Sequence, residues 1–251
     1  MPRCSVCQQS VDRWLPHPHI DLRSDFIRSI DMVGSDLAVY QCPACRCTDR
    51  DRHLWLYLQA AGLQQAIAGA RLLHIAPEWH LERLIEALGP SRYVRGDLNP
   101  TRAGHLRIDV EHLPFADAEF DMIICNHVLE HVADPARALA EFHRCMAPPG
   151  VLIAQTPYAA RLRTTFEVEG PVSPEFARRF FDQEDHVRLF GGDIERYFRA
   201  AGFEGRLLRH DSLLRGVDPF DSGCNAHEPL FAFWKPAAPQ CASPAVERAA
   251  A

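Results

Sequence analysis

The chain has 251 residues, 47% hydrophobic and 24% charged, with a formal net charge of −6. That length holds one large domain, or one domain with a small appendage. The acidic balance gives no bulk attraction for nucleic acid or anionic membrane. The N-terminus MPRCSVCQQSVDRW lacks the apolar core of an export signal, and no run approaches a transmembrane length. Nine cysteines, an odd number without an export signal, predict reduced thiols in the cytoplasm and metal binding rather than disulfides.

Residues 1–53 hold five of the nine cysteines and little helical periodicity. Cys4-Ser5-Val6-Cys7 and Cys42-Pro43-Ala44-Cys45 are two Cys-x-x-Cys knuckles. Each turns two thiolates toward one ion, and together they complete the tetrahedral shell of a structural zinc, the mark of a zinc ribbon. Cys47 is second choice to Cys45. Seven arginines face seven aspartates in this zone, so it lacks the basic surplus of a nucleic-acid binder, and a structural or substrate-gating role is expected. Cys224 and His227 share metal-like spacing, but one pair closes no site.

From Arg52, RHLWLYLQAAGLQQAIA reads as one amphipathic helix. Strands RLLHIA, RYVRGDL, HLRIDV, FDMIICN and VLIAQTP then alternate with helices HLERLIEALG, DPARALAEFHRCM and GDIERYFRAAGF, the last with Asp193 as N-cap. EGRLLRHDSLL and EPLFAFWKP close the series as strands. This alternation predicts an α/β fold around a largely parallel sheet. PAAPQCASPAVERAAA has no burial pattern and reads as a disordered tail over 237–251.

In order and spacing, RLLHIAPE, YVRGDL, RIDVEHLPFADAEFD, FDMIICNHVLEHV, MAPPGVLIAQTP and DHVRLFGGDIERYFRAAGF resemble the class I S-adenosylmethionine-dependent methyltransferases. More narrowly, the chain looks like a bacterial subgroup with an N-terminal zinc ribbon and HIAPE in the first loop. The resemblance implies a Rossmann-like, mostly parallel seven-stranded sheet over 54–236, with helices on both faces. It implies S-adenosylmethionine as cofactor and a small-molecule or unidentified methyl acceptor. Asp97, with Leu98 beside it, would take the ribose hydroxyls; Asp109 would take the adenine amine, with Val110 and Leu113 as apolar walls. His74, Ala76 and Glu78 replace the usual glycine loop, with Glu78 toward the methionine ammonium. Asn126 lies at the fourth-strand exit, and His127 is the candidate acceptor-side catalytic residue.

His127-Val128-Leu129-Glu130-His131 also spells a zinc-protease motif, but it follows a buried strand directly, and Leu-Glu-His there is common in the methyltransferase family. Placed on a helix, the three polar residues would share one face. That resembles the Glu-x-x-Glu-His motif of metal-dependent small-RNA 2′-O-methyltransferases, which draw a histidine from farther along; here the resemblance marks His186. The favoured expectation is that Glu130 and His131 pack and cap a helix. Two other functions stay open: a non-catalytic binding scaffold and a nicotinamide-dependent oxidoreductase, the latter lacking G-x-G-x-x-G.

Overall fold

A computed structural model describes residues 1–20 and 23–237. The tail expected over 237–251 thus lies, from residue 238 onward, outside the described residues. The main sheet is built from β1 (Arg71–Ile75), β2 (Arg92–Asp97), β3 (Leu106–Arg107), β4 (Phe120–Cys125), β5 (Met146–Ile153), β9 (Glu204–Leu208) and β10 (Leu230–Lys235). Its order is β3-β2-β1-β4-β5-β10-β9. The first five strands run parallel, and β10 inserts antiparallel between β5 and β9. This is the mostly parallel seven-stranded sheet that the alternation and the resemblance predict.

Side-chain alternation explains why both faces are covered. Leu72, Met122, Ile124 and Ile153 face helices α2 (Asp49–Ala60), α3 (Leu63–Ile67) and α4 (Trp79–Ala87) through Tyr57, Leu58, Ile67, Leu81 and Ile85. Leu73, Ile75, Ile123, Cys125 and Leu152 point the other way. They meet α5 (Pro135–Cys145) and α7 (Ile194–Ala200) through Leu139, Phe142, Ile194 and Phe198. The single helix expected from Arg52 is two, because Gly62 adopts φ 70 and ends the first run. Asp193 stands at the N-cap of α7 without capping it; its carboxylate accepts from the Thr165 amide and hydroxyl instead.

Between β5 and α7 the chain inserts a small sheet of β6 (Tyr158–Ala159), β7 (Phe166–Glu167) and β8 (Arg188–Gly191), with α6 (Pro174–Phe181). The N-terminal zone reaches over to this insert. Ile27, Ile30 and Met32, in and after α1 (Asp25–Ser29), pack on Ala177, Phe181 and Leu189, and the Val33 amide donates to the Tyr158 carbonyl. Residue 53, the boundary expected from the sequence, falls inside α2.

Candidate functional site

The two cysteine knuckles have the same local build. The amide of Gln8 donates to the Cys4 carbonyl at 2.8 Å, and that of Arg46 to the Cys42 carbonyl at 2.9 Å. Both Gln8 (φ 63) and Arg46 (φ 69) are left-handed, the sharp reversal that folds each pair of thiols together. The four sulfurs of Cys4, Cys7, Cys42 and Cys45 lie within 4.8 Å of one another. Cys4–Cys45 is 3.9 Å and Cys7–Cys42 is 4.0 Å, close to the roughly 3.8 Å edge of a tetrahedron with zinc–sulfur bonds of about 2.3 Å. The residues therefore fit a structural zinc. Cys47 Sγ sits 3.4 Å from Cys4 Sγ, but Cys47 occupies the strand position that Gln9 holds in the first knuckle, its carbonyl taking the Cys42 amide as that of Gln9 takes the Cys4 amide. Arg52 Nη1 also reaches the Cys47 sulfur at 3.7 Å.

The second cluster forms at the carboxyl ends of β1, β2 and β4, where the strand order reverses between β1 and β4. Open α/β sheets hold ligands at such a switch point. Asp97 ends β2, one oxygen accepting from the Asn99 amide at 2.7 Å, and Leu98 beside it is 55% exposed. Asp109 is pinned alike by the Glu111 amide at 2.9 Å, whose hydrogen bond holds it below the usual aspartate range. The second oxygen of Asp109 faces His112 Nδ1 at 3.2 Å, so Asp97 is the less engaged of the two acceptors, and a carboxylate there suits a vicinal diol. Val110 and Leu113 are both buried in the core on the α5 side of the sheet, not exposed as walls of an open slot.

The glycine-free first loop holds itself together. Ala76 takes the left-handed conformation (φ 46) that a glycine would supply, and its amide donates to the Gly96 carbonyl. His74 is buried, its Nδ1 facing the Tyr93 hydroxyl at 2.9 Å and its Nε2 the Glu78 carboxylate at 2.6 Å. Asn126 donates from its side chain to the other oxygen of Glu78 at 2.9 Å. Burial opposes the charge on Glu78, but the imidazole and amide outweigh it and hold the carboxyl below its ordinary value. Glu78 thus closes the loop onto β4 before it meets any ligand.

Residues 127–134 form no helix; α5 starts at Pro135, capped by Asp134. The expectation that Glu130 and His131 pack and cap a helix is corrected here: they lie in a turn. His127 is left-handed (φ 55) and sits between two buried carboxylates, 3.6 Å from Glu130 and 3.7 Å from Glu228. His186 is 1% exposed, its ring 4.7 Å from that of His131. His186 Nδ1 lies 2.6 Å from the Phe181 carbonyl. Local pattern gives no hint of Glu228, His53 and Asp49, which tertiary packing brings to the same buried region. His53 Nδ1 lies 3.7 Å from Glu228, and burial followed by the charge of Glu228 pushes Asp49 up to about 7.

A cavity of about 500 Å³ opens beside this turn, bounded by His17, Arg23, Tyr40, Arg50, Pro157 and Asp185. The insert's arginines are largely spoken for. Arg161 pairs with Asp31 at 2.7 Å, Arg178 with Glu184, and Arg188 with Glu167 at 3.1 Å. These three therefore offer little free charge to an anionic acceptor, whereas Arg163 and Arg179 have no ion pair among the described residues.

A family model described as a methyltransferase domain matches residues 87–154. A probable S-adenosylmethionine-dependent methyltransferase of Mycolicibacterium smegmatis is 27% identical over 173 residues, covering 66% of this chain and 56% of that protein. An uncharacterized transposon protein of Streptomyces fradiae is 34% identical over 95 residues, covering 38% of this chain and 27% of that one. The chain thus spans about half or less of the curated relatives it matches. Among solved structures, an S-adenosylmethionine-dependent methyltransferase from Mesorhizobium loti superposes with a TM-score of 0.50 at 14% identity, covering 70% of this chain and 95% of that one. The matched segment runs from the end of α4 through β5, along the Rossmann-like sheet. Among the described residues, no helix is long and apolar enough to cross a membrane.

Proposed function

We propose that the protein transfers a methyl group from S-adenosylmethionine to a small polar acceptor. In this reading, residues 1–53 form a zinc-stabilised module beside the acceptor cavity, and residues 54–236 form the transferase. The observation that carries the proposal is the pair of carboxylates, Asp97 and Asp109, beyond the carboxyl ends of β2 and β3 beside the switch point, each pinned by its own loop amide. When bound, S-adenosylmethionine supplies an electrophilic methyl on a sulfonium, and the residues of this chain have to bind, orient and exclude water. Asp97 accepts from the ribose hydroxyls and Asp109 from the adenine amine, while Ala76 and Glu78 shape the first loop around the methionine end. The methyl would pass to a lone pair of the acceptor, with the electrons of the broken carbon–sulfur bond left on sulfur. Where the acceptor must lose a proton, His127 would be the residue to take it, lying 3.6 Å from Glu130 and 3.7 Å from Glu228.

Calorimetric titration with S-adenosylhomocysteine tests the reading. Asp97→Ala should weaken binding by about 1.5–3 kcal/mol, the cost of losing hydrogen bonds to a charged group, with the circular dichroism spectrum unchanged. An unaltered dissociation constant would remove Asp97 from the site. Binding of NADH in place of S-adenosylhomocysteine would favour the oxidoreductase, and binding of neither would favour the scaffold.

A further inference from the structure

Glu130, His131 and His186 come from two separate segments, yet one ligand atom of each lies within 4.8 Å of the other two. Their outer contacts dictate which atoms face inward. His186 Nδ1 lies 2.6 Å from the Phe181 carbonyl, which can only accept, so Nδ1 carries the proton and Nε2 presents a lone pair. His131 Nδ1 faces the Asp185 carbonyl at 3.2 Å, which turns its Nε2 lone pair inward in the same way. Thr156 donates to one oxygen of Glu130 at 2.8 Å, leaving the other, Oε1, 4.0 Å from His131 Nε2. Such outer partners are the usual means of fixing the tautomer and orientation of metal ligands.

Three acceptor lone pairs therefore converge in a buried space with no donor among them. Among the described residues, His186 Nε2 is buried without a hydrogen-bond partner, and such an atom is costly unless something satisfies it. His131 does not supply that donor, since His186 Nε2 has no partner within hydrogen-bond reach among the described residues, and His131 Nε2 stands 4.0 Å from Glu130 as well. The turn is also held rigidly. Arg188 donates to the carbonyls of Leu129, Val132 and Ala133, and the Val187 amide donates to that of Glu130.

We propose that Glu130, His131 and His186 bind a divalent transition-metal ion, distinct from the ion of the four cysteines. Two imidazoles and one carboxylate suit zinc, manganese, iron or cobalt better than magnesium or calcium, which prefer all-oxygen shells. Three protein ligands leave further coordination positions for water or substrate. Asp185, which orients His131, also lines the cavity beside the turn. The proposal does not rest on the methyl-transfer reading, since an ion could bind here whether or not S-adenosylmethionine does.

The test is a cobalt(II) titration of full-length protein whose cysteine site is already loaded with zinc. The expected result is one further equivalent bound, with visible ligand-field bands and no thiolate-to-cobalt charge-transfer band. Glu130→Gln and His131→Ala should each weaken that binding at least tenfold, with zinc content and circular dichroism unchanged. His131 is partly exposed, so its replacement is the variant least able to unfold the protein. Wild-type protein that binds no further cobalt, or two variants that bind it as the wild type does, would overturn the proposal.

Discussion

Two non-glycine residues at the mouth of the crevice, Ala76 (φ 46) and His127 (φ 55), hold left-handed backbone. Such conformations cost roughly 1–3 kcal/mol each and persist only where surrounding contacts impose them. Here those contacts are the Ala76 amide on the Gly96 carbonyl and the His127 amide on the Gln155 carbonyl. Asp49 carries a different local cost. It is buried, one oxygen accepts from the Asp36 amide, and the other has no partner among the described residues. Burial, and then the charge of Glu228, push its folded pKa above the usual aspartate range, to about 7. Its contribution is therefore fully present below the unfolded pKa and lost as pH rises through 7. Thermal melts between pH 4 and 8 should show wild-type stability falling across that window relative to Asp49→Asn. Parallel profiles would mean that Arg50 neutralises the charge without cost.

At the scale of elements, α2 joins the cysteine knuckles to the sheet. Thr48 and Asp51 form a reciprocal capping box at its start, and Arg52 is fully buried within it. The Arg52 guanidinium donates to the Gly223 carbonyl at 2.7 and 3.0 Å and to the Cys47 carbonyl at 3.0 Å, and it stacks over Trp14 at 4.1 Å. One side chain thus binds the second knuckle to the loop after the short helix Pro219–Ser222. Arg52→Ala would leave buried carbonyls unpartnered and a void against Trp14. It should destabilise the protein by about 3–5 kcal/mol, and Arg52→Lys should recover only part of this, lacking the planar fork. Denaturant unfolding of the two variants measures the difference.

At the scale of the whole molecule, the N-terminal zone is packed into the fold at two places: through Arg52 and Trp14, and through Ile27, Ile30 and Met32 on the insert. Zinc in the knuckles should consequently stabilise more than the knuckles. Chelation should lower the melting temperature of the entire chain, on the order of 10 °C for loss of a few kcal/mol. Purified protein should hold zinc near one equivalent in the cysteine site, retained by Glu130→Gln and lost from the Cys42→Ala, Cys45→Ala double variant. A separate, unshifted transition for the transferase part would show the zone to be an independent appendage.

Much of this was legible in the sequence, because its causes are local. Apolar runs of five or six residues between helical periods can be buried only in a sheet covered on both faces, so the α/β class followed from pattern. Two Cys-x-x-Cys knuckles carry their own geometry, and Asp97 and Asp109 are pinned by amides two residues away. What only the tertiary structure decided depends on segments distant in sequence. His127, Glu130 and His131 look like one face of a helix on spacing alone, but Arg188 and Val187 hold their segment as a turn from nearly sixty residues away. Glu228 reaches His127 across about a hundred residues, and Glu78 turns back to His74 and Asn126. Spacing records neighbours along the chain, whereas a buried polar cluster is defined by which lone pairs and protons the fold forces to face one another.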